Sequence, residues 1–212
     1  MKELRPYRKK LILTTLLTCF PILVGLLLWN RLPDTVATHF GTNNAPDGWS
    51  SKAFAVIGLP LLLAVVHLFA VTVTLNDPKK KNIGTKIFGL IFWTVPVVSL
   101  ICCLSTYAYA LGIPVDIGLI VHLLVGAVFI LLGNYMSKNH QNYTVGIRLP
   151  WTLDSAENWN RTHRLASVLW IIAGIVFIAN GFFQNTFVTF AVIAAAAIVP
   201  MVYSFILHTK GI

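Results

Sequence analysis

Six apolar segments dominate this chain of 212 residues, and each is long enough to cross a bilayer as a helix. They lie at residues 11–29, 54–75, 87–111, 117–136, 166–182 and 187–207. A bilayer core needs about 20 apolar residues per helix, and lipid satisfies no free backbone N–H or C=O group. Only 11% of the residues are charged, whereas soluble domains carry about a quarter. We therefore predict an all-α, polytopic integral membrane protein with six transmembrane helices.

The positions of the basic residues predict the orientation of these helices. The chain has 16 lysines and arginines, and all but Arg31 and Lys52 lie at the termini or in the second and fourth connections. Cytoplasmic loops are enriched in lysine and arginine, which places both termini in the cytosol. Topology thus accounts for the net charge of +9, and we expect no direct binding of nucleic acid. The three cysteines lie in apolar segments without metal-site spacing, so we predict no cofactor and no metal.

The first connection, residues 30–53, has the pattern of a small folded cap on the outer side. Apolar and polar residues alternate in "TVATHF", which predicts a short strand. Turn-forming residues follow the predicted strand: Asn43, Asn44, Pro46, Asp47 and Gly48. The acidic residues and His39 lack the regular spacing of a metal site. We expect this loop to be the first surface that an external ligand meets, through Asp34, His39, Asp47 and Trp49.

The fourth connection, residues 137–165, crowds polar and aromatic residues between two apolar segments. Asp154 followed by Glu157 resembles a capping pair and predicts a helix start near Ser155. On that helix Trp159 and His163 are four residues apart and share one face. One interpretation is an interfacial helix that lies along the lipid headgroups with Trp159 as its anchor.

A second interpretation of the same connection is a docking surface. In "GIRLPWT", Arg148 stands between the flexible Gly146 and the rigid Pro150, and it has two carboxylates within reach along the chain. A pairing of Arg148 with Asp154 or Glu157 would fix the loop as a compact platform. The local residues leave both interpretations open.

Two histidines, His67 and His122, lie within the apolar segments. Ionisable residues inside a membrane are functional candidates because their burial is costly. A neutral histidine is cheaper to bury than a charge, so a hydrogen-bonded structural role is an equal alternative. The segments contain no pair of carboxylates, which weakens a proton-coupled transport scheme. No catalytic motif is present, and we predict that the protein is not an enzyme.

Two stretches resemble a known family. Gly133-Asn134 together with "NYTVGIRLPWTLDSAENWNRTHRLAS" (residues 142–167) resembles the signature of the SdpI family, bacterial membrane proteins named for immunity to a sporulation-delaying toxin. The outer stretch "LPDTVATHFGTNNAPDGWSSK" (residues 32–52) is similar to a small domain of unknown function that often occurs in the same proteins. Ten positions match the inner motif: Gly133, Asn134, Asn142, Gly146, Arg148, Pro150, Trp151, Thr152, Trp159 and His163. Leu149 departs from the family pattern, in which threonine is common.

The resemblance implies a multi-pass protein of the bacterial plasma membrane that protects against a secreted antimicrobial peptide toxin. In the founding system the immunity protein also holds a cytosolic transcriptional repressor at the membrane, which would make the inner motif a docking site. Residues 1–112 would form an N-terminal membrane region with the outer loop, and residues 113–212 an SdpI-like region with the motif loop. A small transporter with His67 and His122 along its path is the alternative function.

Overall fold

The computed structural model describes residues 2–41 and 44–212 of the chain and is mostly helical. Its helices are α1 (Arg8–Leu27), α2 (Leu59–Leu75), α3 (Thr85–Ala110), α4 (Ile117–Met136), α5 (Pro150–Asp154), α6 (Ala156–Asn180) and α7 (Thr186–Thr209). Short 3-10 turns lie at Lys2–Tyr7 and Lys80–Asn82, and a π-helical turn at Phe54–Gly58 leads into α2.

Among the described residues, six helices are long and apolar enough to cross a membrane, which confirms the predicted number of spans. The segments are Arg5–Leu27, Phe54–Leu75, Thr85–Ala110, Ile117–Met136, Ala156–Asn180 and Thr186–Thr209. Between 17% and 39% of the residues in their most apolar windows are buried, so most of these apolar side chains face outward. Soluble monomers rarely carry apolar surface on that scale, and lipid is the solvent that suits it. The chain is a multi-pass membrane protein.

The expectation of an all-α fold needs one correction, because the first connection, residues 30–53, forms a β-hairpin. Strand β1 (Thr35–Phe40) confirms the predicted strand and pairs antiparallel with β2 (Pro46–Ser51). Val36 is fully buried and stands opposite Ser50 in the register. Asn44 lies in the turn as predicted, and Asn43 lies outside the described residues. The prediction of Pro46, Asp47 and Gly48 as turn residues is wrong, because they form the first half of β2.

The fifth span begins ten residues earlier than its hydropathy predicts, at Ala156 rather than at residue 166. The helix start near Ser155 is confirmed, since the Ser155 hydroxyl accepts the N–H of Asn158 at 3.1 Å. Asn158, Thr162 and His163 follow on a buried face of α6. The hydropathy pattern predicts a polar loop at these residues. In the structure they belong to one continuous helix, and their side chains are buried and hydrogen-bonded.

The chain divides into two compact units. The first unit comprises the residues up to Thr72 together with Ile91–Val121, and the second comprises Val73–Leu90 together with His122–Ile212. The apolar core of the first unit centres on Leu32, Val56, Cys103 and Tyr107. The boundary between residues 112 and 113 that the sequence suggests stays a prediction.

In the second unit, α4 and α6 approach each other through glycines. A Cβ atom on Gly133 would lie 2.9 Å from the backbone nitrogen of Ile171, and one on Gly126 would lie 2.7 Å from the carbonyl oxygen of Gly174. The Ser167 hydroxyl donates to the Gly133 carbonyl at 2.6 Å. Small residues let membrane helices approach closely and gain dispersion contacts. The family-motif position Gly133 therefore serves helix packing.

Candidate functional site

Residues 137–155, here called the motif loop, are held in shape by two buried asparagines. The Asn142 side-chain oxygen accepts the backbone N–H groups of Thr144 at 3.0 Å and Val145 at 2.7 Å. Both asparagine amides donate to the Val145 carbonyl, that of Asn139 at 2.7 Å and that of Asn142 at 3.1 Å. These bonds give an irregular backbone the partners that a helix would provide, as burial requires.

Asp77 lies in the connection between α2 and α3 and binds the motif loop through its carboxylate. Its side chain is buried, and one carboxylate oxygen accepts from the Tyr143 N–H at 2.9 Å and the Thr144 hydroxyl at 2.7 Å. The other oxygen accepts from the Lys79 N–H at 2.7 Å. A buried carboxylate is stable only where such donors replace water. Sequence analysis missed Asp77, although it is one of only seven acidic residues and stands within a strongly basic connection.

Gln141, near the start of the motif loop, contacts both the connection between α2 and α3 and helix α5. Its carbonyl accepts from the Asn82 amide at 2.7 Å, and its side-chain oxygen accepts from the Lys79 ammonium at 2.8 Å. Its side-chain nitrogen donates to the carbonyls of Leu153 at 2.7 Å and Thr152 at 3.1 Å. Gln141 therefore ties the connection between α2 and α3 to α5, which forms the end of the motif loop.

The side chains of Trp159 and His163 stack within the second unit, with ring centroids 3.9 Å apart and ring planes 20° apart. This confirms their predicted common face. His163 Nε2 accepts the Ile147 N–H at 3.0 Å, so the ring proton lies on Nδ1 and is donated to the Trp159 carbonyl at 2.8 Å. The imidazole is therefore neutral in this arrangement, with both nitrogens bound to backbone.

The predicted role of Trp159 as a headgroup anchor is wrong. The side chain is fully buried, and its Nε1 donates to the Asn139 carbonyl at 2.7 Å. An anchor would present the indole to the membrane surface. In this chain the indole faces the motif loop, because the polar first turns of α6 pack under that loop.

Gly146 is the point at which the motif loop crosses this ring pair. Its φ of +124° belongs to the region that favours glycine. A Cβ atom there would lie 3.0 and 3.1 Å from carbons of the Trp159 ring and still closer to His163 Nε2. Glycine is required at this position both for the backbone conformation and for the contact.

Helix α5 attaches the end of the motif loop to α7. Pro150 occupies its first position, and the buried Thr152 hydroxyl accepts the Leu149 N–H at 2.8 Å, which caps the helix. Trp151 Nε1 donates to the Ser204 hydroxyl at 2.9 Å. The Trp151 ring also stacks on His208, with centroids 5.6 Å apart.

Arg148 does not form the predicted pair with Asp154 or Glu157. Its guanidinium donates to the Tyr143 carbonyl at 2.7 Å and is exposed. Glu157 instead pairs with Arg161, one turn along α6, where the two side chains are neighbours on the helix surface. The exposed members of the family motif are thus Arg148, Pro150 and, on α4, Asn134.

The hairpin of the first unit brings two of the four outer candidates together. His39 Nδ1 and an Asp47 carboxylate oxygen form a hydrogen bond at the surface. Asp34 pairs instead with Lys52, with 3.1 Å between nitrogen and oxygen. Trp49 is 59% exposed, so most of its indole makes no contact within the first unit. The hairpin therefore presents an exposed indole and an exposed polar pair.

A contact that sequence analysis missed fixes the tip of the hairpin. Asn44 has a φ of +59°, which asparagine tolerates better than most residues. Its amide donates to an Asp116 carboxylate oxygen at 2.7 Å, and its side-chain oxygen accepts the Gly118 N–H at 2.7 Å. The turn residue Asn44 was the only signal, because sequence pattern alone does not join a turn to the start of α4.

The two membrane histidines lie in different units. In the first unit, His67 is fully buried and its Nε2 is 2.9 Å from the Thr14 hydroxyl. In the second unit, His122 Nε2 is 3.0 Å from the Thr189 hydroxyl, which also accepts from the Asn180 amide at 2.9 Å. Within residues 2–41 and 44–212, no three side chains of His, Cys, Asp or Glu stand close enough to hold a metal ion.

Two stretches of the chain match models of known families or domains. Residues 138–204, from the motif loop into α7, match the model of the SdpI/YfhL protein family. This part of the chain is similar to that family. Residues 16–64, which include the hairpin, match a domain of unknown function, DUF1648. The family resemblance that the motifs predicted is confirmed.

A curated relative extends this similarity along the chain. Over 180 residues the chain is 27% identical to "Immunity protein SdpI" of Bacillus subtilis (strain 168), which is 85% of either chain. No solved structure matches the chain significantly.

Proposed function

We propose that the chain is an immunity protein of the bacterial plasma membrane that protects its cell against a secreted antimicrobial peptide toxin. The observation that carries this proposal is the extent of the similarity to the Bacillus subtilis immunity protein. An aligned stretch of 180 residues out of 212 necessarily includes the middle of the chain. Both the hairpin and the motif loop therefore fall within it, so the relationship extends beyond the family domain alone.

The proposed orientation places both termini and the motif loop in the cytosol and the hairpin outside. The distribution of lysine and arginine supports it, because only Arg31 and Lys52 lie on the side assigned to the exterior. In this orientation the toxin meets the hairpin first, and the motif loop faces cytosolic proteins.

The hairpin is the proposed toxin-binding surface. Trp49 is exposed there, and tryptophan is enriched among the residues that dominate binding energy. The neighbouring pair of His39 and Asp47 supplies polar groups at the rim of that aromatic surface. The tip is fixed on α4 through Asn44, so ordering this surface on binding has a small entropic cost.

The motif loop is the proposed docking site for a cytosolic repressor. Its buried members fix the backbone, whereas Arg148 presents an exposed guanidinium to the surroundings. An arginine held in place by its own loop is suited to pair with a carboxylate of a partner. Immunity and repressor docking are separable, because they use different units of the chain.

The test is survival of a toxin-sensitive bacterium that expresses the chain and is challenged with a sporulation-delaying-type peptide toxin. The wild type should protect, Trp49→Ala and Asp47→Ala should reduce protection, and Arg148→Ala should leave it intact while abolishing repressor capture. Arg31→Ala, an exposed charge in the same outer loop, is the matched control and should protect fully. Failure of correctly inserted wild type to protect at any toxin dose would exclude immunity to that toxin.

A small transporter remains the second candidate, supported by one observation at His67. Within the described residues, the Nδ1 atom of this fully buried side chain has no hydrogen-bond partner. A transporter that moves its substrate past His67 should lose function in His67→Ala while tolerating Trp49→Ala. An immunity protein should show the opposite pattern in the survival assay.

A further inference from the structure

A cavity of about 140 Å³ lies in the second unit beside the motif loop. Its walls come from the first turns of α3, the last turns of α4, the motif loop at Val145–Ile147 and Trp170 of α6. Leu90, Leu132 and Trp170 provide apolar wall, and the loop closes one side with Gly146. An apolar cavity of about this volume in a soluble protein takes up a benzene-sized molecule, equivalent to several methylene groups.

The walls of the cavity are mostly apolar and favour a hydrocarbon ligand over a polar one. Three side chains of the described lining carry a polar group: Tyr135, Asn139 and Trp170, whose indole N–H donates to the Ala196 carbonyl at 3.0 Å. Asn139 is the most polar of them. Its amide already donates to the Val145 carbonyl at 2.7 Å, and its side-chain oxygen accepts from Asn142 at 3.2 Å. A polar ligand would lose its bonds to water there and gain few in return, whereas an apolar chain loses nothing.

Two lysines adjoin the lining residues, one by contact and one in sequence. The Lys138 ammonium lies over the ring of Tyr135, 5.5 Å from its centroid, and Tyr135 lines the cavity. Lys86 immediately precedes Ile87, another lining residue, and both lysines are exposed. An apolar interior with positive charge at its edge is complementary to an anionic amphiphile rather than to a neutral one.

We propose that this cavity binds part of one acyl chain of an anionic phospholipid, with the phosphate close to Lys138 and Lys86. A phospholipid is favoured over a side chain of a protein partner because all three wall helices are membrane spans, so lipid is the molecule that surrounds them. The occupant would contact the loop at Gly146, next to the stacked Trp159 and His163. The inference stands apart from the proposed immunity function.

The test uses Trp170 as a reporter of the cavity wall. The full chain is reconstituted into phosphatidylcholine vesicles that contain a minor fraction of brominated phosphatidylglycerol or, in parallel, of brominated phosphatidylcholine. Bromine quenches nearby tryptophans, and the signal of Trp170 is the difference between wild type and Trp170→Phe. We expect stronger quenching by the anionic lipid, with a preference of up to roughly fivefold per lysine at low salt. Trp93, a partly exposed tryptophan of the first unit, gives the matched control through Trp93→Phe and should show no preference.

Two sets of variants assign the preference to this cavity. Lys86→Gln with Lys138→Gln changes only exposed side chains and should remove the preference for phosphatidylglycerol. Leu132→Phe fills the cavity and should reduce quenching of Trp170 by either lipid. Equal quenching of Trp170 by the two lipids in the wild type would overturn the proposal. It would also be overturned if the preference persisted in the lysine double variant.

Discussion

Gly146→Ala tests the structure of the motif loop more directly than any other single change. At a φ of +124° an alanine is strained by roughly 1–3 kcal/mol. Its Cβ would also meet the stacked rings of Trp159 and His163. If the Trp159 ring moves away, it loses its hydrogen bond to the Asn139 carbonyl. If the His163 ring moves away, it loses its hydrogen bond from the Ile147 N–H. One lost bond at a buried group costs about 1–3 kcal/mol, so the backbone strain and the loss of one of these two bonds together destabilise the chain by about 2–6 kcal/mol.

The assay is thermal unfolding of the purified chain in detergent, with two glycine variants as controls. Gly112→Ala has a φ of +76° but no neighbouring atom within 4 Å, so it retains only the backbone strain. Gly89→Ala lies in α3 with open space around it, and it should be neutral or stabilising by about 0.5–1 kcal/mol. With roughly 2–4 °C of Tm per kcal/mol for a chain of this size, the three variants should be resolved in the order Gly146, Gly112, Gly89.

The comparison of Gly146→Ala with Gly112→Ala decides the argument. If both variants lose the same Tm, the rings of Trp159 and His163 move aside freely and the close contact carries no energy. That result would refute the idea that the ring pair and the loop form one rigid unit. A larger loss in Gly146→Ala, by contrast, contains the ring contact together with the extra backbone strain at a φ of +124°, which lies farther from the left-handed region than the +76° of Gly112.

Two further changes probe the bonds that sequence analysis missed. Asp77→Asn turns an acceptor of three donors into an amide that must leave one unpaired, and hydrogen exchange at residues 143–145 should rise by at least about tenfold. Asp154→Asn, an exposed acid of the same unit, should leave that exchange unchanged. Asn44→Gly keeps the positive φ but removes the bonds to Asp116 and Gly118, so the hairpin should be cleaved faster by added protease. Wild-type cleavage rates in Asn44→Gly would show that other contacts hold the tip.

The six spans were predictable because a bilayer requires a long, apolar helix, and one or two polar residues do not change the mean hydropathy of such a segment much. The start of α6 was not, since hydropathy treats Asn158, Thr162 and His163 as water-exposed. In the structure the Asn158 amide donates to the carbonyls of Ser204 at 3.0 Å and Ile212 at 3.1 Å, which are distant in sequence. Burial of a polar helix face depends on partners that a local window does not contain.

The candidate site was predictable in membership but not in arrangement. Spacing placed Trp159 and His163 on one face, and that part is confirmed. The predicted pairing of Arg148 was wrong because proximity along the chain does not decide the partner: its guanidinium donates to the Tyr143 carbonyl, and Glu157 pairs with Arg161. Asp77 was missed because its two partners in the motif loop, Tyr143 and Thr144, lie more than 60 residues away, and a single acid among lysines is an ambiguous signal.

The chemistry of the motif loop explains why a membrane protein keeps so polar a segment, and it also decides how mutations there should be interpreted. Most of the groups that organise the loop are neutral, the amides of Asn139, Gln141 and Asn142, whose withdrawal from water next to a bilayer costs far less than that of a charge such as the Asp77 carboxylate. Loss of function after a change at Asn142 would therefore report a collapsed loop rather than a lost partner. Arg148 is exposed and bound only through its guanidinium, so its loss should leave the fold intact. A partner that recognises this loop should respond to Arg148→Ala in a protein that unfolds at the wild-type Tm.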